Sequence, residues 1–243
     1  MAIPRIYVSD PLVLGESLSL SAEVSHHLLQ VLHVKTGDSL IVFNGEGGEF
    51  HAILQRDPSR RKMAMVDIVT HDMVNRESKI HVHLFQGVSR AYKMDYAIQK
   101  AVELGVSAIT PVMSERCVVR LNEKKQQSRH SHWQRLVVSA CEQSGRTRIP
   151  ALTAVVDFST ALKTALPGVF LQPNSDYSIS TSMMASTQQF SVWVGPEGGW
   201  SDMEAQQATV RGFQSVSLGN RILRTETAPV AILAAIQTLW GDY

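Results

Sequence analysis

The sequence has few cysteines, no long apolar run and almost no net charge, and each shortage excludes a class of protein. Its two cysteines, Cys117 and Cys141, are too few for a disulfide framework, and no zinc-ligand spacing surrounds them. No apolar run reaches the roughly 18 residues that a membrane-spanning helix needs. The first residues lack the charged-then-apolar order of a signal peptide. We therefore expect a cytoplasmic protein with no metal and no membrane association.

The formal net charge of +1 hides an uneven distribution of charge along the chain. Through Asp72 there are six Lys and Arg against nine Asp and Glu, and the remainder has seventeen against thirteen. Residues 116–148 concentrate eight basic residues against two acidic ones: Arg116, Arg120, Lys124, Lys125, Arg129, Arg135, Arg146 and Arg148. Such an excess attracts a phosphate backbone, but an isolated charge run is more often a solvated helical face. The run alone does not decide between the two.

The hydrophobic pattern predicts two domains, residues 1–72 and residues 73–243. In the first, short apolar runs at 39–43, 49–54 and 62–69 predict strands, and the glycine-rich segment 44–48 suits a hairpin loop. We expect a small N-terminal β-barrel here. In the second domain strands alternate with helices, which indicates an α/β fold with a mainly parallel sheet.

The first segment that can carry chemistry is VWVGPEGGWSDME, residues 192–204. An apolar strand runs into a glycine-rich loop, and Ser201 with Glu204 has the spacing of a capping box that begins a helix. Glycines let backbone groups approach a ligand closely. The loop is neither a P-loop nor a dinucleotide fingerprint. By composition alone, a plain strand-to-helix turn is as good an interpretation as a ligand site.

The second segment, residues 218–229, reads LGNRILRTETAP and again follows a predicted strand. Arg221 and Arg224 are costly in a short apolar loop unless they meet carboxylates or an anionic ligand. A structural pair of Arg224 with Glu226 or Glu197 is the alternative. The helix that follows, VAILAAI at 230–236, is apolar all round and is therefore predicted to be buried on every side. Core packing and a subunit interface explain it equally well.

Together the two segments resemble the SPOUT class of methyltransferases. The most similar family is RsmE, which methylates N3 of a uridine in the 16S RNA of the bacterial small ribosomal subunit. The resemblance covers most of the chain and extends to IPRIY, FQGVSR with Lys93 and Met94, QKAVELGV, SERC and CEQSGR. One departure is Asn220, where the family often has proline. Because Asn tolerates tight turns, we expect a softer loop there.

The resemblance implies a C-terminal SPOUT domain with a trefoil knot, an N-terminal PUA-like RNA-binding barrel and a homodimer that forms through the C-terminal domain. It also implies S-adenosyl-L-methionine as cofactor, held by Leu171, Gly195, Pro196, Glu197, Gly198, Gly199, Leu218, Gly219, Arg221, Ile222 and Leu223. The basic residues that we expect to contact RNA are Arg5, Arg90, Lys93, Arg116, Arg120 and Arg146.

The implied reaction is direct methyl transfer to a ring nitrogen. Uracil N3 carries a proton, so a group must accept this proton or stabilise the resulting anion. We expect Arg224 to stabilise the anion, while Glu197 or Glu226 is either the base or the structural partner of an arginine. Because pairing occupies N3, the target should be an unpaired uridine in folded RNA or in the assembled small subunit. The alternatives are methylation of another RNA base or a ribose 2′-OH, and a non-catalytic RNA-binding relative.

Overall fold

The computed structural model describes residues 3–57, 63–173, 175–177, 179 and 188–243. The chain divides into two compact units. The N-terminal unit is Met1–Glu77 with Cys141–Ile149, and the C-terminal unit is Ser78–Ala140 with Pro150–Tyr243.

The N-terminal unit is built on a five-stranded sheet with the strand order β1-β3-β4-β5-β2. Its strands are β1 Arg5–Tyr7, β2 Ser17–Ser19, β3 Ser39–Phe43, β4 Glu49–Arg56 and β5 Ala64–Asp72. Only β1 and β3 are parallel. A short helix, α1 (Ala22–His26), continues as a π-helical turn over His27–Val31.

The predicted strands of this unit are confirmed within a few residues. Strand β3 has the predicted bounds, and β4 runs two residues further than predicted. The predicted start of the third strand, Lys62, lies outside the described residues, and β5 continues to Asp72. Alternate residues such as Leu40 and Val42 point into a core of fully buried apolar side chains, as a half-buried strand requires.

The hairpin loop between β3 and β4 needs its glycines. Gly45, Gly47 and Gly48 have φ angles of 83°, 107° and 70°, values that residues with a Cβ atom rarely adopt. At Gly48 a Cβ atom would also lie 2.6 Å from His71 Nε2. The predicted positive-φ loop is therefore confirmed.

The segment Cys141–Ile149 belongs to the N-terminal unit because Arg5 and Glu77 hold it there. Arg5 donates to the carbonyl oxygens of Cys141 and Arg146, both at 2.7 Å. Glu77 accepts from the backbone N–H of Thr147 at 3.1 Å and pairs with the Arg146 side chain. The bounds of this unit thus differ from the expected domain end after residue 72. Hydrogen bonds and ion pairs between residues far apart in sequence leave no local pattern from which such bounds could be predicted.

The C-terminal unit is built on a seven-stranded sheet with the order β12-β10-β11-β6-β7-β8, and β9 also pairs with β7. Its strands are β6 His81–Gly87, β7 Ala108–Met113, β8 Ala151–Leu152, β9 Val156–Asp157, β10 Gly168–Leu171, β11 Gln189–Val194 and β12 Gln214–Val216. Every pairing in it is parallel, which confirms the prediction of a mainly parallel sheet.

Four helices connect these strands and a fifth follows the last strand: α2 Ala91–Glu103, α3 Glu123–Ser144, α4 Phe158–Thr164, α5 Asp202–Val210 and α6 Thr227–Trp240. Gly105 follows the end of α2 with a φ of 79°, a left-handed conformation that commonly ends helices. Helix α3 is polar over its first three turns, and its apolar residues begin only at Trp133. No helix in the described ranges is long and apolar enough to cross a membrane.

An aromatic cluster packs beneath the carboxyl ends of the central strands. Phe85 and Trp193 stack with ring centroids 4.4 Å apart, and Phe158, Phe170 and Trp200 surround them. This packing fixes the points at which β6, β10 and β11 give way to loops.

Helix α6 is not buried on every side, so that prediction is wrong for the single chain. Ile232, Leu233 and Ile236 are fully buried. The residues beside them on the helix are only partly covered: Val230, Ala231, Ala234 and Ala235.

Candidate active site

A cavity of about 500 Å³ opens at the carboxyl ends of β10, β11 and β12. The last residues of these strands, Leu171, Val194 and Val216, form part of its wall. Because the strands are parallel, their following loops meet at one edge of the sheet, where α/β folds usually bind ligands. The volume is typical of small-molecule sites.

The structure brings together all eleven residues that were expected to hold the cofactor. Each of them lines this one cavity: Leu171, Gly195, Pro196, Glu197, Gly198, Gly199, Leu218, Gly219, Arg221, Ile222 and Leu223. Lys93 and Arg116, expected to contact RNA, also line the cavity. The sequence analysis missed other lining residues, namely Gln172, Pro173, Trp200, Asp202, Ser217, Thr225 and Ala228. Gln172, Pro173 and Ser217 directly follow β10 and β12, so position after a predicted strand end is the signal that could have found these three.

The first cavity loop, residues 195–199, is packed tightly against the segment 114–117. A Cβ atom at Gly198 would lie 2.8 Å from the carbonyl oxygen of Arg116, so only glycine fits there. The capping box that begins α5 is confirmed: Glu204 N donates to Ser201 Oγ, and Ser201 N donates to Glu204 Oε2 at 2.8 Å. The other oxygen of Glu204 accepts from the backbone N–H of Glu115 at 2.9 Å. The first cavity loop is therefore fixed by its packing against residues 114–117 and by the capping box that follows it.

The second cavity loop, residues 218–226, is joined to the first by a buried hydroxyl group. Thr225 Oγ1 donates to the carbonyl oxygen of Gly195 at 2.6 Å and accepts from Gln86 Nε2 at 3.2 Å. At the end of β6, a Cβ atom on Gly87 would lie 2.4 Å from Pro196 N, so strand and loop touch through their backbones.

Two carboxylates and one ammonium group meet at the cavity wall. Glu197 Oε1 accepts from the backbone N–H of Arg90 at 3.1 Å. Lys93 Nζ lies 3.7 Å from Glu197 Oε1 and 3.5 Å from Glu226 Oε2. Glu197 lines the cavity, whereas Glu226 lies behind Lys93 and is not part of the lining.

Arg224, expected to stabilise an anion, lines the cavity with an exposed side chain. Within the described part of the chain, its side chain makes no ion pair with a carboxylate. The structural Arg224–glutamate pair is therefore not observed, because Glu197 and Glu226 face Lys93 instead.

Arg5 and Arg146, both expected to contact RNA, are instead internal to the N-terminal unit. The Arg5 side chain is 10% exposed and pairs with Glu49, and that of Arg146 is 7% exposed and pairs with Glu77. Hydrogen bonds from Arg76 and then Arg5 lower the pKa of Glu49. Because these guanidinium groups already bind carboxylates and carbonyls, the structure argues against phosphate contact for either one.

The other arginines expected to contact RNA lie in the C-terminal unit and are exposed. Arg90 precedes α2 and provides the backbone N–H that Glu197 accepts. Arg116 lines the cavity and donates to the carbonyl oxygen of Trp200 at 2.9 Å. Arg120 donates to the carbonyl oxygen of Glu115 at 2.9 Å. All three remain accessible to an anionic partner.

The cavity wall has polar atoms that a ligand could satisfy. Trp200 Nε1 and Glu197 Oε2 are buried and have no hydrogen-bond partner within the described ranges. Buried polar atoms are normally paired, so an unpaired donor and an unpaired acceptor at a cavity indicate a polar ligand. Apolar side chains such as Leu171, Ile222 and Leu223 complete the wall. The site suits a molecule of nucleoside size with both polar and apolar parts.

Comparison with known families defines the class of this fold and site. Residues 76–237 match the family model described as an RNA methyltransferase domain. Residues 20–62 match the model described as an RNA methyltransferase PUA domain. The first match covers more than half of the chain, so the class is that of RNA methyltransferases with a PUA domain.

Individual relatives narrow this class. One relative is a ribosomal RNA small subunit methyltransferase E from Buchnera aphidicola (Schizaphis graminum). Its sequence is 32% identical to this one, and the match covers 99% of this chain and 98% of the relative's length. The enzyme of that name from Bacillus subtilis is 30% identical over 93% of both chains. A crystal structure of the enzyme of that name from Neisseria gonorrhoeae is bound to S-adenosyl methionine. Its sequence is 38% identical to this one, the match covers 100% of both chains, and the two structures superpose with a TM-score of 0.92. The chain belongs to the ribosomal RNA small subunit methyltransferase E family, as its motifs indicated.

Proposed function

We propose that this protein transfers a methyl group from S-adenosyl-L-methionine to N3 of a uridine in 16S ribosomal RNA. The observation that carries the proposal is the single cavity that gathers all eleven expected cofactor residues. The Neisseria gonorrhoeae relative, similar over its whole length, binds the same cofactor, and this supports the proposal.

The residues present fit this cofactor. Gly195, Gly199 and Gly219 leave the wall without side chains where a ligand approaches, while Leu171 and Leu223 give it apolar surface. Trp200 Nε1 offers a donor to its polar groups. When bound, the cofactor supplies an electrophilic methyl group on a sulfonium, so the protein contributes alignment and electrostatics.

Two side chains of the cavity wall, Glu197 and Arg224, remove the proton and stabilise the resulting charge. Glu197 accepts the proton of uracil N3, because it lines the cavity and Glu226 does not. The electron pair left on N3 would take up the methyl group while the carbon–sulfur bond breaks and its electron pair stays on the sulfur of the departing thioether. The Arg224 guanidinium stabilises the negative charge that develops on a neighbouring carbonyl oxygen, since no carboxylate of the described residues neutralises it.

The RNA substrate must present an unpaired uridine, because N3 takes part in base pairing. Arg90, Arg116 and Arg120 are exposed in the same unit as the cavity and bind the phosphates around the target. Folded RNA or the assembled small subunit provides such a target in a defined shape. A cytoplasmic location is a prediction that rests on this substrate.

A homodimer and a knotted chain are also part of the proposal. The partly exposed face of α6 carries small and apolar residues, namely Val230, Ala231, Ala234 and Ala235, and a second copy would cover it. The trefoil knot implied by the family resemblance would place the two cavity loops on one threaded segment. Analytical ultracentrifugation tests the dimer directly, and a monomer at micromolar concentration contradicts it.

Two measurements test the proposed reaction. Calorimetry with S-adenosyl-L-methionine should show binding, and the absence of binding would favour a non-catalytic RNA-binding relative. Mass spectrometry of nucleosides from treated 16S RNA and from treated small subunits should show 3-methyluridine. A different methylated base or a 2′-O-methyl nucleoside would identify another specificity within the same class.

A further inference from the structure

Lys93 lies where three separate segments of the C-terminal unit meet. It belongs to the first turn of α2, Glu197 to the first cavity loop and Glu226 to the second. The Lys93 side chain is 13% exposed, and the two glutamates are 18% and 14% exposed. The ammonium group is therefore largely covered and lies between two covered carboxylates.

Helix stability does not explain a lysine at this position. A cation in the first turn opposes the helix dipole, whereas the Glu197 carboxylate at the same end favours it. Partly buried charges are screened less by salt than exposed ones, so the two carboxylates would repel each other without the ammonium group between them. The position of Lys93 is explained by its partners on the two loops.

The same geometry argues against the RNA contact that the sequence led us to expect for Lys93. A phosphate that approached the Nζ atom would also approach Glu197 and Glu226, and both carry negative charge. Arg90 and Arg120 offer exposed guanidinium groups in the same unit, and neither pairs with a carboxylate in the described ranges.

We propose that Lys93 is a positioning residue that ties the first cavity loop to the second. It acts beside the neutral bond from Thr225 to Gly195 and beside the Arg90 N–H that holds Glu197. Three ties hold the loops in the arrangement that forms the cavity before any ligand enters, which lowers the cost of ordering them on binding. The catalytic part of this inference rests on the proposed function, whereas its structural part does not.

Hydrogen exchange of the cofactor-free protein tests the structural part. Lys93→Met should speed exchange of the backbone amides in residues 195–199 and 218–226 by about threefold or more. In this variant, opening either loop no longer has to break an ion pair. Lys93→Arg, which keeps the charge, should restore most of the protection. Lys100→Met is the matched control: it lies on the same helix, pairs with Glu103 and does not line the cavity.

Binding measurements separate loop positioning from phosphate contact. Lys93→Met should weaken the affinity for S-adenosyl-L-methionine by about tenfold, a size usual for coupled neighbours. Its RNA affinity should keep the wild-type dependence on salt concentration. Glu226→Gln, which retains the lysine, should also speed amide exchange in the second loop. The double variant with Lys93→Met should lose less cofactor affinity than the product of the two single-variant losses.

The opposite pattern overturns the inference. A salt slope that falls by roughly 0.7 to 0.9, with unchanged loop exchange, would make Lys93 a phosphate ligand. Should Lys93→Met fail to fold, unchanged exchange of the second loop in Glu226→Gln has the same consequence. If the wild-type protein proves not to methylate RNA, the proposed function fails, but hydrogen exchange still decides the role of Lys93.

Discussion

Three arginines of the N-terminal unit and the two of the second cavity loop differ in what surrounds them. Arg5, Arg76 and Arg146 form ion pairs with Glu49 and Glu77, and these pairs hold distant segments of the unit together. Arg221 and Arg224 line the cavity with exposed side chains and form no ion pair with any described residue. The same residue type is thus structural in one region and available to an anion in the other. Pairing, which depends on the fold, makes the difference.

The largest effect that sharpens this comparison is expected at Arg224. Arg224→Ala should lower kcat by about a hundred- to a thousandfold, the usual loss when one donor to a developing anion is removed. Cofactor affinity should change little. Methylation kinetics and calorimetry measure the two quantities, and Arg211→Ala, outside the cavity, is the matched control. A variant with near-normal turnover would remove Arg224 from the mechanism.

The structural side of the comparison is tested at Glu49. Glu49→Ala leaves Arg5 without its buried partner, so we expect a loss of about 3 kcal/mol in the free energy of unfolding. Urea denaturation measures this loss, and Glu46→Ala, an exposed glutamate of the same unit, should change it by less than about 1 kcal/mol. Equal losses in the two variants would show that the Glu49 network contributes no special stability.

A half-buried ionisable group, His83, provides a third case, and no carboxylate of the described ranges forms an ion pair with it. Burial lowers the pKa of His83 to about 4, and its Nε2 lies 2.8 Å from Thr110 Oγ1. Because the unfolded chain binds this proton near pH 6.5, stability should fall as the pH drops from 6.5 toward 4. The expected loss is about 2 kcal/mol at pH 5 relative to pH 7.5. His83→Gln should lose less over this range in urea titrations, and an identical pH dependence would contradict the assignment.

The smallest effect is expected at Arg120, which is exposed and expected to bind phosphate. Arg120→Ala should weaken RNA binding by about fivefold and reduce the salt slope by about 0.7 to 0.9. Filter binding over a range of salt concentrations measures both values. An unchanged slope would group Arg120 with Arg5 and Arg146, whose side chains serve the fold.

Local patterns predicted much of the fold and of the cavity. Strand β3 has the predicted bounds because its apolar run is short and clearly bounded. The capping box at Ser201 is specified within four residues, so its sequence is sufficient to predict it. Both cavity loops follow strands and precede helices, and in a parallel sheet this order alone brings them to one edge.

Contacts between distant residues could not be predicted from such patterns. Lys93 is far in sequence from Glu197 and Glu226, so its ion pairs leave no spacing to recognise. Arg146 lies in a basic run that resembles a phosphate-binding surface, yet its partner Glu77 is 69 residues away. The exposed face of α6 was missed because apolar composition indicates burial and does not say which neighbours provide it.

Glu204 has a mechanical consequence for the molecule. One of its oxygens holds Ser201 at the start of α5, and the other holds the backbone of Glu115. The glycine-rich loop and the stretch that carries Arg116 are therefore fastened to a single carboxylate. A shift of that loop would therefore strain the bond that Glu204 makes to the neighbouring segment, so the two segments move together or one bond breaks.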